Sequence, residues 1–111
     1  MTLLAAQTPE QFFDRKVAPI LTKRCLPCHN KDLDNAGVSF QNPATLKRVI
    51  VSGQPDQSRL IETLRHEGGV RMPPGLPLPK REIKVLREWV KQGAVFGAPL
   101  RQFRAATDTR L

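Results

Sequence analysis

Apolar residues follow helical spacing at both ends of this chain. Phe13, Val17, Ile20 and Leu21 recur at +4, +7 and +8, one face of an amphipathic helix. Thr8-Pro9-Glu10-Gln11 precedes them and reads as a reciprocal capping box, with Thr8 at N-cap, Pro9 at N1 and Gln11 at N3. Pro19 falls inside the pattern and predicts a kink or a restart there. Further on, Ile83, Leu86, Trp89 and Val90 share one broad face, which predicts a helix over residues 80–92 stopped by Gly93. Between these, Asn42-Pro43 reads as the cap and first residue of a short helix over Leu46, Val49 and Ile50 that stops at Gly53. Pro55 opens another through Leu60, Ile61 and Leu64, stopped by Gly68-Gly69. Asn30 to Pro43 is polar and weakly patterned, hence loop. Met72 to Pro79 contains Pro73, Pro74, Gly75, Pro77 and Pro79, hence a stiff, extended loop. Val49-Ile50-Val51 is β-branched but has no partner strand. The fold class expected is all-α.

Composition narrows this picture. With 111 residues there is room for one domain. The pattern divides it into an N-terminal tail or leader stub (residues 1–8), a packed domain (9–98) and a basic C-terminal tail (99–111) with Arg101, Arg104 and Arg110. Met1 to Gln7 lacks the basic flank and the apolar core of ~7–15 residues that an intact export signal carries. No apolar run approaches the ~18–20 residues of a membrane-spanning helix. A chain this short buries only about 60–70% of its unfolded surface, so a large internal cofactor would add to its core.

The cysteines change the picture most. There are two, Cys25 and Cys28, with His29 directly after them. A disulfide framework needs several well-separated pairs. A four-ligand zinc site would need Cys25, Cys28, His29 and His66 together, with adjacent Cys28 and His29 straining the arrangement. A thioredoxin-like dithiol needs a βαβ context that the pattern lacks. Cys25-Leu26-Pro27-Cys28-His29 is instead the C-x-x-C-H signature of covalent haem attachment. Two thiols on one helical turn reach the two vinyl groups of the macrocycle, and the next residue turns its imidazole to the iron. The expected cofactor is one haem c, held through Cys25 and Cys28, with His29 as an axial ligand.

The opposite axial position is filled by Met, His or water in most haem proteins. Met72 is the only internal methionine. It stands between Arg71 and Pro73, where no helical face needs filling, and nearby prolines can hold a weakly binding thioether. Met72 is therefore the expected sixth ligand, with His66 or an open site as alternatives. His66 reads otherwise as an exposed helix-end residue favoured by the macrodipole. Trp89 is expected to be buried, packing on the haem or donating its indole N–H to a propionate.

These residues together resemble class I c-type cytochromes, and in particular the single-haem domains of planctomycete type. The likeness runs from Phe13, Val17, Pro19-Ile20-Leu21 and Cys25-x-x-Cys28-His29-Asn30 through Gly37-Val38-x-Phe40. It continues over Gly53-x-Pro55-x-x-Ser58-x-Leu60, Met72-Pro73-Pro74 and Glu82-Ile83-x-x-Leu86-x-x-Trp89-Val90-x-x-Gly93-Ala94, about residues 9–98 in all. Pro79 departs from it, since relatives place Ser or Thr there as a helix cap. The resemblance implies a cytochrome c fold of about four short helices around one covalent haem. It also implies that the first and last helices cross beside the haem, with Met72 opposite His29. Domains of this kind also occur fused to larger enzymes.

The expected function is single-electron transfer, by a free carrier or by the haem subunit of a larger redox complex, and not catalysis. An alternative is a haem peroxidase or gas sensor with an open or His66-ligated distal site, but no acid–base pair supports it. Another is an accessory subunit of a larger assembly. Covalent haem attachment implies a periplasmic or otherwise extracytoplasmic location, with membrane association through a partner. Eighteen Lys+Arg against ten Asp+Glu give a net charge of +8. Nucleic acid is not the expected partner, because aromatics are few and no binding motif is present. Lys23, Arg24, Arg71, Lys80, Arg81 and Lys84 flank the haem motif and the proline loop. They are expected to ring the haem edge and face an acidic redox partner.

Overall fold

The computed structural model describes residues 7–33 and 35–101. The leader stub up to Ala6, and Arg104 and Arg110 of the basic tail, lie outside the described residues. All regular structure among the described residues is helical: α1 (Pro9–Phe12), a π-helical turn (Phe13–Val17), α2 (Ala18–Arg24), α3 (Arg59–Leu64) and α4 (Lys80–Lys91). Short 3₁₀ turns cover Asn35–Gly37, Pro43–Arg48 and Pro55–Gln57. No described helix is long and apolar enough to cross a membrane.

The capping box forms as expected. The Gln11 N–H donates to Thr8 Oγ1 and the Thr8 N–H donates to Gln11 Oε1, both at 3.0 Å. Pro19 has its effect one turn earlier. A proline ring clashes with the carbonyl four residues before it and cannot donate to it. The helix answers by widening to i→i+5 bonds over Phe13–Val17, closing with the Ala18 N–H on the Phe13 carbonyl. Regular helix then resumes with Pro19 in its first turn, where the missing N–H costs nothing.

The middle of the chain is more broken than its periodicity suggests. The helix capped by Asn42 is a 3₁₀ turn that ends at Arg48, so Val49 and Ile50 lie beyond it. The segment opened by Pro55 splits at Ser58, which is extended (φ −91°, ψ 124°) and buried. Ser58 Oγ accepts from the Val51 N–H at 2.8 Å and donates to the Gln54 carbonyl at 3.0 Å. These side-chain bonds outweigh continuous helix. α3 ends at Leu64, before the expected Gly68-Gly69, and His66 just beyond it has a left-handed φ of 58°. At the end of α4, by contrast, Gly93 is the stop that was expected, with φ 112°.

One apolar core joins the two ends of the chain. Phe13, Val17 and Leu21 are fully buried, as are Ile61, Leu86 and Val90, with Trp89 nearly so. The ring centroids of Phe13 and Trp89 lie 5.8 Å apart, and Phe96 closes the group at 4.9 Å from Phe13 and 5.3 Å from Trp89. The packed body continues past the expected boundary at residue 98. Leu100 is buried, its carbonyl accepts from Gln41 Nε2 at 3.2 Å, and the Ala98 N–H donates to Asp14 Oδ1 at 2.8 Å. Gly97 lies so close to Asp14 and to the Glu10 carbonyl that a Cβ there would collide with both.

Candidate haem site

α2 delivers the C-x-x-C-H motif. The Cys25 N–H still donates to the Leu21 carbonyl, and the Leu26 N–H also folds back on Leu21 at 2.8 Å. One further turn follows, with the Cys28 and His29 N–H groups donating to the Cys25 carbonyl at 3.2 and 3.0 Å. Cys25, Cys28 and His29 therefore share one hydrogen-bonded turn. Both thiols are free, with Cys25 partly buried and Cys28 exposed. Burial pushes the Cys25 thiol up to about 12. A dithiol redox site works with a lowered thiol, so the shift runs opposite to that chemistry.

His29 is oriented from outside the motif. Its Nδ1 lies 3.1 Å from the Val38 carbonyl oxygen. A carbonyl only accepts, so Nδ1 carries the hydrogen and the Nε2 lone pair is left for a metal. The Phe40 N–H donates to the His29 carbonyl at 2.8 Å, and the Phe40 ring stands edge-on to the imidazole at 6.1 Å. Asn30, buried, ties off the turn. Its Nδ2 donates to the Leu26 carbonyl at 2.8 Å, and its Oδ1 accepts from the Asp32 and Leu33 N–H groups at 2.9 Å each. Residue-type reasoning about ligands passes over Val38 and Asn30, because one acts through its backbone and the other touches only backbone. Their sole sequence signal is the family-like pattern around them.

Met72 and His66 meet in a second group. Met72 is partly buried against the core, and its N–H donates to the Thr63 carbonyl at 2.9 Å. His66 Nε2 is committed to the Pro73 carbonyl at 2.8 Å. Among the described residues no three His, Cys, Asp or Glu side chains gather into a metal-holding cluster, so His66 does not join the two thiols in a zinc-type site. Trp89 belongs to a third group, with Phe13 and Phe96. Its indole N–H donates to the Val95 carbonyl at 2.9 Å, so the one hydrogen that a propionate bond would use is already committed.

Arg24 departs from expectation. It does not present a free charge, because its guanidinium bonds Glu82 twice, Nε to Oε1 at 2.9 Å and Nη2 to Oε2 at 3.2 Å. The pair ties the residue before Cys25 to the first turn of α4. The Arg24 hydrogen bond holds the Glu82 carboxyl below the usual carboxylate range. A lowered folded-state pKa gives stability that is full above the ordinary glutamate value of ~4.3 and lost as pH falls below it. Glu82→Gln is therefore expected to flatten the decline of thermal stability with acid, measured by melting from about pH 3 to 6. An unchanged acid profile would show that the pair contributes nothing.

Residues 25–75 match the family described as Planctomycete cytochrome C. The match supports a planctomycete-type cytochrome c domain over that segment. No curated protein and no solved structure matches the chain in the same comparisons. The matched segment begins at the first thiol of the haem motif and runs through Met72 and the first prolines of its loop. The helical architecture agrees with a cytochrome c-like all-α fold, and the family is one of haem-bearing electron-transfer proteins. The donor chemistry of the domain fits a c-type haem: two unpaired thiols on one turn, followed by an imidazole whose Nε2 is free.

Proposed function

We propose that this cytochrome c domain carries single electrons through one haem c, as a free carrier or as the haem subunit of a larger redox complex. The observation that carries the reading is the His29–Val38 hydrogen bond at the end of the two-thiol turn, which presets an iron-binding nitrogen beside two attachment points. In this reading Cys25 and Cys28 form the thioethers, His29 and Met72 are the axial ligands, and the N- and C-terminal helices cross beside the macrocycle. Haem iron held by a histidine nitrogen and a thioether supplies a one-electron ferric–ferrous couple, biased by the thioether towards the reduced state.

The chain's own residues do the rest. Val38 fixes the tautomer and ring plane of His29, as outer-shell carbonyls do for metal-bound imidazoles. Pro73, Pro74, Pro77 and Pro79 limit the conformations of the Met72 loop. The core of Leu86, Trp89, Phe13 and their neighbours supplies a low-dielectric interior. With His29 and Met72 both holding the iron, no position would be left for a substrate, which supports a carrier role over an enzymatic one. Optical spectroscopy tests this. The oxidised protein is expected to be low-spin with a sulfur-to-iron charge-transfer band, and a high-spin spectrum would overturn Met72 ligation.

We infer a periplasmic or otherwise extracytoplasmic location, because the usual machinery that attaches haem to reduced C-x-x-C-H thiols acts outside the cytoplasm. Docking follows from charge. Lys23, Arg71, Lys80, Arg81 and Lys84 are all exposed, while Arg24 is withdrawn by Glu82. We infer that these five charges gather towards an acidic redox partner, in a membrane-associated complex or in solution. Exposed charges are screened over ~8–10 Å near physiological salt. The bimolecular electron-transfer rate is therefore expected to fall steeply as salt rises. Arg71→Glu or Lys80→Glu is expected to slow it at low salt with little change in potential. A rate indifferent to both would remove these charges from the docking surface.

A further inference from the structure

We propose that His66 is the positioning residue that holds the Met72 loop in its ligand-bearing shape. This rests on the reading of Met72 as an axial ligand. α3 stops at Leu64, and His66 adopts a left-handed φ of 58°, a conformation that non-glycine residues seldom take. The turn sends the chain out into Glu67–Arg71, which are all exposed, and leaves the imidazole behind to face the returning strand of loop. Its Nε2 lies 2.8 Å from the Pro73 carbonyl oxygen, and since a carbonyl only accepts, Nε2 is the donor.

The bond has a clear physical need. Pro73 and Pro74 have no N–H, so the backbone here can only accept, and the Pro73 carbonyl needs a donor from elsewhere in the chain. His66 supplies the donor. On the other flank the Met72 N–H donates to the carbonyl of buried Thr63 at 2.9 Å, and Thr63 Oγ1 donates to Leu60 at 2.7 Å. Met72 is thus bracketed by two bonds, one to α3 and one to His66 just beyond its end. Within Glu67–Arg71, Arg71 Nε donates to the Gly68 carbonyl at 3.1 Å. A thioether is a weak ligand whose competition with outside ligands depends on how well its backbone is held. The population of loop that presents sulfur sets the apparent affinity of any competitor.

The test uses the haem-loaded protein and imidazole as competitor. Wild type is expected to show the sulfur-to-iron band and to bind imidazole weakly. His66→Ala is expected to keep covalent haem and helical content but bind imidazole about three- to tenfold tighter, the range of one lost hydrogen bond. His66→Gln, whose amide reaches as far as Nε2, is expected to restore most of the wild-type affinity. His66→Asn accepts left-handed backbone but is too short to reach Pro73, so it should behave like alanine. Rescue by Asn and not by Gln would assign the effect to backbone conformation and overturn the proposal. If alanine does not fold, the Gln and Asn pair alone decides. Wild-type imidazole affinity in the variants, with the band present throughout, would overturn the role of His66 and leave Met72 ligation standing. A wild-type protein without the band would overturn Met72 ligation and the role of His66 with it.

Discussion

His29→Ala is expected to abolish the low-spin spectrum of the haem-loaded protein while leaving the haem bound to the chain. The two effects separate because the motif splits its tasks between side chains on one turn. Cys25 and Cys28 supply carbon–sulfur bonds that denaturation does not break, whereas His29 supplies only a coordinate bond through Nε2. Wild-type protein is expected to be heavier by one haem in denaturing mass spectrometry and to keep it in acid–organic solvent. Cys25→Ala leaves one attachment point, and the double replacement of Cys25 and Cys28 leaves none, so the haem of the double variant should extract completely. The Val38 carbonyl predicts a graded effect as well. Loss of an outer-shell partner typically costs about 10–100-fold in metal affinity, far less than loss of the ligand. Extraction of haem from wild-type protein would end the covalent reading. A low-spin His29→Ala spectrum would show that another residue occupies that axial position.

How much of this was legible in the sequence depends on the range of each interaction. The capping box of Thr8 and Gln11, the effect of Pro19 and the stop at Gly93 are local, fixed by residues within one or two turns. The single turn holding Cys25, Cys28 and His29 is likewise local. The corrections come from contacts that helical periodicity does not encode, several of them between distant segments. Ser58 breaks a helix that periodicity would continue, because its hydroxyl satisfies Val51 and Gln54. Arg24 looked like a free charge until α4 brought Glu82 beside it. Leu100 looked like part of a polar tail until Gln41 and the core received it. The bond from His66 to Pro73 spans a loop of glycines with no periodicity to read. Local pattern therefore finds the atoms that bind the cofactor, while the groups that orient those atoms emerge only once the chain is folded.

Trp89→Ala is expected to be the most destabilising single change in the domain. Trp89 is 1% exposed and packs against Phe13 and Phe96, linking α4 to the N-terminal helix. Truncating a buried Trp typically costs ~3–5 kcal/mol, through lost transfer energy and the cavity left behind. Against the ~5–15 kcal/mol that holds a typical domain folded, this removes a large share. Trp89→Phe keeps most of the ring but strips the donor from the Val95 carbonyl, a loss of about 1–3 kcal/mol for an unpaired buried group. Denaturant titration of the haem-loaded protein should rank the midpoints wild type, then Phe, then Ala. The same pair of variants tests where the indole hydrogen goes. With the N–H on Val95, Trp89→Phe should lower stability and leave the reduction potential close to that of wild type. A shifted potential with stability unchanged would mean that the hydrogen serves a haem propionate and that the bond to Val95 gives way when the cofactor is bound.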